Sequence, residues 1–114
     1  MPFQVAAHGF LLTDALREAC LTESTGKLQP LAVKNFSSRW KLSLERTEHV
    51  AHITWADGSF HGDATAKSAD MYQSIHQATK KAMEQMKKAH DKRFDHHPGG
   101  GAAAQKVVVS ETDD

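Results

Sequence analysis

The sequence predicts an α+β fold: a two-layer sandwich in the order β-α-β-β-β-α, whose four-stranded sheet carries two helices on one face. Three observations lead there. Four stretches alternate apolar and polar residues with period two, whereas the stretches after Thr13 and Ser68 space their apolar residues at helical intervals. The strand pattern leaves one sheet face apolar, and two amphipathic helices bury their stripes at once only by packing on that face. The chain has 114 residues, enough for one core without metal or disulfide, and no internal repeat divides it.

Phe3, Val5 and Ala7 alternate with Gln4, Ala6 and His8, a short strand that Gly9 closes. Thr13 then offers an N-capping hydroxyl, Asp14 an acid in the first turn, and Leu12, Leu16, Ala19 and Cys20 a helical stripe. This helix is expected to reach about Leu28 with a frayed or distorted second half. Thr22, Ser24, Thr25 and Gly26 are weak helix formers, and Pro30 forbids continuation.

The clearest strand places Phe36, Ser38, Trp40, Leu42 and Leu44 on one side and Ser37, Arg39, Lys41, Ser43 and Glu45 on the other. Thr47-Glu48 turns the chain into a strand with Ala51, Ile53 and Trp55 on its apolar side. Asp57-Gly58, a pair suited to a type I′ turn, leads to a third meander strand in which Phe60, Gly62, Ala64 and Ala66 alternate with His61, Asp63, Thr65 and Lys67. Ser68-Ala69-Asp70 restarts helix with a capping hydroxyl and a carboxylate in the first turn. Met71, Ile75, Ala78, Ala82, Met86 and Ala89 form its stripe, which Tyr72 and Met83 widen. The first strand, crossover helix and second strand predict a right-handed parallel connection. From Asp95 onward, Pro98, Gly99, Gly100 and Gly101 and the lack of periodicity predict a tail that is disordered or orders only on a partner.

Composition narrows the function. The longest apolar runs are far too short to span a membrane, the N-terminus has no secretion signal, and the lone Cys20 suits a reducing compartment, so a cytoplasmic protein is expected. Net charge is zero, but Asp95, Glu111, Asp113 and Asp114 face only Lys106 in the tail. Positive charge gathers instead in 76–94, where Lys80, Lys81, Lys87, Lys88, Lys92 and Arg93 oppose Glu84 and Asp91. On a helical wheel Lys81, Lys88 and Lys92 share a flank beside the apolar stripe, while Lys80, Lys87 and Glu84 lie nearer the outward face. Such a ridge can follow phosphates of any sequence; the alternative is a solvated face.

No P-loop, GxGxxG, GxSxG or HExxH occurs, so no enzyme is indicated and no cofactor follows. His90, His96 and His97 form the one local histidine cluster and lack a cysteine, a poor zinc set, so no metal site is assigned. His52 and His61 fall on the polar sheet face, where they contact phosphates or simply meet solvent. Cys20 reads as a packed thiol, Trp40, Trp55 and Phe60 as core, and Tyr72 as packed.

Several segments carry a resemblance: Thr13-Asp14-Ala15-Leu16-Arg17-Glu18 after the first strand, His49-Val50-Ala51-His52-Ile53 through Asp57-Gly58, Ala64-Thr65-Ala66-Lys67-Ser68-Ala69-Asp70-Met71-Tyr72-Gln73-Ser74-Ile75, and Glu84-Gln85-Met86-Lys87-Lys88. Over about 2–93 the chain resembles the ribosome hibernation promoting factor and protein Y family in its short form. The resemblance implies a domain similar in appearance to a double-stranded RNA-binding domain. It also implies lodging on the small ribosomal subunit, against rRNA in the channel of messenger RNA and transfer RNA anticodon ends, so that translation stops. The family's basic helix positions match Lys81, Lys88 and Lys92; Lys67 matches a basic position before the last helix, and Arg17 one in the first.

The expected phosphate contacts are therefore Arg17, Lys27, Lys67, Lys80, Lys81, Lys87, Lys88, Lys92 and Arg93. The chain departs from the family pattern where the continuation of the first helix, 21–27, supplies only Lys27 and adds Glu23, and where Glu84 replaces a common basic residue. The expected organisation is a ribosome-binding domain at 1–94 and a flexible, acidic-ended tail at 95–114, monomeric off the ribosome, with no membrane and no small-molecule substrate. The competing expectation is a protein-interaction module acting on a transcription or other cytoplasmic partner.

Overall fold

A computed structural model describes residues 2–94 and 108–111. The elements are β1 (Phe3–His8), α1 (Asp14–Glu23), β2 (Phe36–Glu45), β3 (Glu48–Asp57), β4 (Phe60–Ser68), α2 (Met71–Phe94) and β5 (Val108–Glu111). The sheet runs β1-β2-β3-β4-β5. β1 and β2 are parallel across the α1 crossover, with Val5 beside Trp40, and β2, β3 and β4 form the antiparallel meander. The expected β-α-β-β-β-α arrangement is thus the one observed.

Alternation in the strands explains the layers. Phe36, Trp40, Leu42, Ala51, Ile53, Trp55, Phe60, Ala64 and Ala66 point to the helices and are buried. They meet Leu16 and Cys20 of α1 and the stripe Met71, Ile75, Ala78, Ala82, Met86 and Ala89 of α2, all buried as expected. The small alanines let α2 lie close to the sheet while the two indoles fill the space between layers. Each indole also needs an acceptor, because a buried unpaired N–H costs about 1–3 kcal/mol. Trp40 Nε1 donates to Ser24 Oγ at 2.9 Å, and Trp55 Nε1 to Gln85 Oε1 at 2.8 Å.

Local chemistry explains where elements begin and end. Thr13 Oγ1 accepts from the Leu16 amide at 3.1 Å, the expected cap of α1. The distortion expected in the second half of that helix takes a definite form: a π-helical turn at Ser24–Leu28, then a 3₁₀ turn at Gln29–Leu31 with Pro30 inside it. The wider turn starts at Ser24, whose buried hydroxyl accepts from both Trp40 and Ser38 Oγ. α2 is capped by Asp70 itself, whose Oδ2 accepts from the Gln73 amide at 3.2 Å. Ser68, the expected cap, instead bonds Ser74 Oγ at 2.7 Å.

Other boundaries differ from the sequence reading. The β3–β4 turn is centred on Gly58-Ser59, and of these only Gly58 has positive φ (66°), the II′ arrangement rather than I′. Asp57 is the last residue of β3 and points inward. The shift at the β2–β3 turn is opposite in direction: that turn begins one residue before the expected Thr47, at Arg46, which holds φ at 59°. Tyr72 does not pack: it is 48% exposed beside a groove of about 350 Å³ that Phe10, Leu44 and Met71 also line. β5 was not expected, and it pairs in parallel with β4, where Val108 and Val109 suit an extended edge. The rest of the expected flexible tail, 95–107 and 112–114, lies outside the described residues.

Candidate nucleic-acid interface

α2 presents its cations in two ways. Lys80, Lys87 and Lys88 are exposed, with Glu84 among them. Lys81 is half-buried and its Nζ donates to the Thr65 carbonyl of β4 at 2.8 Å, so it ties the helix flank to the sheet. Gln85, one turn on, does the same to the Asp63 carbonyl at 2.7 Å. The flank named by the helical wheel is therefore partly a helix–sheet seam, and the outward face carries the more accessible charge. Lys92 and Arg93 fall in the last turn of α2, and their side chains lie outside the described part of the structure.

The remaining expected cations are dispersed. Lys67 is exposed near the end of β4, on the sheet face opposite the helices. Lys27 is engaged: its Nζ lies 3.3 Å from Glu23 Oε1 and 3.3 Å from His76 Nδ1. Arg17 stands at the β1 edge with its guanidinium 5.8 Å from the Phe3 ring centroid. The structure thus brings together Lys80, Lys87 and Lys88 and sets Arg17, Lys27 and Lys67 apart from them.

Charge at the β1 edge escaped the sequence reading. Arg17, Arg39 and Lys41 line a groove of about 490 Å³ with Gln4, Ala6 and His8. The alternation in β2 had already put Arg39 and Lys41 on the polar side, but only the parallel pairing with β1 reveals that they converge with Arg17. Farther along that face His52 Nε2 lies 3.0 Å from Asp63 Oδ2, so His52 has a carboxylate partner rather than meeting only solvent.

Chemistry of other kinds finds little footing. Cys20 is fully buried, and burial, reinforced by Glu23, pushes its thiol up to about 12, a packed and unreactive group. His90 is committed to Asp57 at 3.0 Å, and His96 and His97 lie outside the described residues. Among the described residues no three His, Cys, Asp or Glu side chains gather as metal ligands. Likewise, no described helix is long and apolar enough to cross a membrane.

The family model described as Sigma 54 modulation protein / S30EA ribosomal protein matches residues 3–93. The chain belongs to that family. No curated protein matches it significantly in sequence. Among solved structures, this S30EA-family chain is similar to the N-terminal domain of Thermus thermophilus Protein Y, with 20% identity and a TM-score of 0.71 over 77% of this chain and 98% of that one. It is also similar to a ribosomal subunit interface protein from Coxiella burnetii, with 18% identity and a TM-score of 0.71 over 81% of this chain and 100% of that one. At these identities the likeness is one of fold.

Proposed function

We propose that this S30EA-family chain is a non-enzymatic, cytoplasmic ribosome hibernation factor, monomeric off the ribosome. It binds the small subunit against rRNA in the messenger and transfer RNA channel and halts translation by occupying that space. The carrying observation is the family match over 3–93 on a fold whose last helix holds Lys80, Lys87 and Lys88 out to solvent. Cations on a rigid helix meet phosphates without reading sequence, and each neutralised phosphate releases counterions, so binding weakens steeply with salt. Occlusion needs only shape and affinity, which agrees with a core whose one thiol is buried.

The test is co-sedimentation with purified small subunits and whole ribosomes across a salt series, alongside cell-free translation. Wild type should sediment stoichiometrically at low salt and inhibit translation, and Lys80→Glu/Lys87→Glu/Lys88→Glu should do neither. Absence of wild-type binding at low salt overturns the proposal. Binding that persists undiminished at high salt points instead to a protein partner.

A further inference from the structure

A second cationic surface lies away from the α2 lysines. β1 and β4 are separated by β2 and β3, which puts the β1 edge about 14 Å from the strand that Lys81 grips. At that edge three cations come from two elements: Arg17 from α1, Arg39 and Lys41 from β2, with β1 as the floor between them. No carboxylate is among the described residues that line this groove. Nor does Arg17, Arg39 or Lys41 enter an ion pair among the described residues, whereas Lys27 does. On the same sheet face Asp63 stands two strands from Arg39 and is held by His52.

The guanidinium of Arg39 is also oriented. Its Nε donates to Gln4 Oε1 at 3.1 Å, which fixes the plane and leaves both terminal nitrogens for an oxyanion. Gln4 and Arg39 are register partners across β1 and β2, so the rigid ladder maintains this geometry. Arg17 is steadied in turn by the Phe3 ring. Uncompensated cations, one of them pre-set for bidentate contact, in a groove open to solvent suit the phosphates of an extended chain.

We propose that the β1-edge groove of Arg17, Arg39 and Lys41 is a second phosphate-binding site, which holds an RNA backbone segment separate from the one met by α2. Only the choice of RNA as the source of phosphate rests on the ribosomal reading. The domain then grips two backbone segments, one at the β1 edge and one along α2, and its rigidity sets their separation.

The experiment titrates the full chain with a single-stranded oligouridylate 12-mer while backbone amide shifts are followed by NMR, in parallel with uridine monophosphate. Salt dependence of oligonucleotide binding is then compared between wild type and Arg39→Gln/Lys41→Gln, two exposed positions whose replacement leaves the core intact. The expected result is a shift of the Gln4, Ala6, Arg39 and Lys41 amides by the oligonucleotide, and a salt slope shallower by about 1.4 in the variant, the value for two single-strand phosphate contacts. Unmoved groove amides and an unchanged slope overturn the second site, even if wild type sediments with ribosomes. Equal shifts by the monophosphate at equal phosphate concentration overturn the RNA backbone as its ligand. Groove shifts and a reduced slope support the site even if ribosome binding fails.

Discussion

Asp57 and His90 join the end of β3 to the last turns of α2 through a bond of 3.0 Å between His90 Nε2 and Asp57 Oδ2. The same carboxylate accepts the Val33 amide at 2.9 Å and the Lys34 amide at 2.8 Å, so one buried side chain holds a loop, a strand and a helix together. Burial by itself pushes the Asp57 carboxyl up. The Val33 amide, His90 and the Lys34 amide outweigh it and hold the group below its ordinary 3.8. A folded carboxyl more acidic than the unfolded one binds fewer protons. Its contribution to stability is therefore complete above about 3.8 and lost as pH falls toward the folded value. Urea midpoints recorded from about pH 6 down to about pH 3 should decline through that window. Asp57→Asn, which can no longer accept both amides, should be less stable by about 2–3 kcal/mol at neutral pH and show a shallower acid decline.

Ser24 supports a separate prediction. Its hydroxyl receives Trp40 Nε1 and Ser38 Oγ inside the core, 2.9 and 3.0 Å away. Ser24→Ala strands both donors and should cost about 2 kcal/mol by denaturant unfolding, with altered tryptophan emission in the folded state. Ser24→Thr, which keeps the acceptor, should recover part of the loss. A neutral Ser24→Ala would show that the indole finds another acceptor.

These two buried groups mark the limit of what the sequence disclosed about the fold. Periodicity identified the four meander and edge strands, both helices and the buried faces of Trp40, Trp55 and the α2 stripe, because period and burial are local signals. It read Asp57 as a turn residue and Ser24 as a weak helix former. Their roles depend on partners as far away as His90 for Asp57 and Trp40 for Ser24. The same limit applies to the candidate site. A helical wheel finds Lys80, Lys87 and Lys88, but it has no means of showing that Lys81 reaches Thr65 or that Lys27 meets Glu23. The groove of Arg17, Arg39 and Lys41 appears only when β1 is laid beside β2.

Lys27 and Lys87 should behave differently in ribosome binding although both were expected to contact phosphate. Lys27 must leave Glu23 before it can neutralise anything else, whereas Lys87 is exposed on the outward face. Lys87→Gln should reduce the salt slope of binding by close to one contact, about 0.7–0.9, and Lys27→Gln by much less. Glu23→Gln should restore Lys27 to the pool of available cations and tighten binding at low salt. Equal effects of the two lysine variants would show that the Glu23 pair opens freely on the ribosome.

Glu84 supplies the converse test, a gain rather than a loss. It is exposed on α2 between Lys80 and Lys87 and one turn before Lys88, so its carboxylate repels the phosphates that these lysines attract. Glu84→Lys removes that repulsion and adds a cation in line with the others. Binding to small subunits should tighten at low salt, and the slope of log affinity against log salt should steepen by about 0.9 if the new lysine meets a duplex phosphate. The substitution also places like charges at i,i+4 spacing with Lys80 and Lys88, which should lower stability by about 0.5–1 kcal/mol. Tighter binding together with a lower melting temperature is therefore the expected pairing, because the same charge density that favours phosphate disfavours the free helix. If affinity for the ribosome stays unchanged while the melting temperature falls, the outward face of α2 is not the surface that meets RNA.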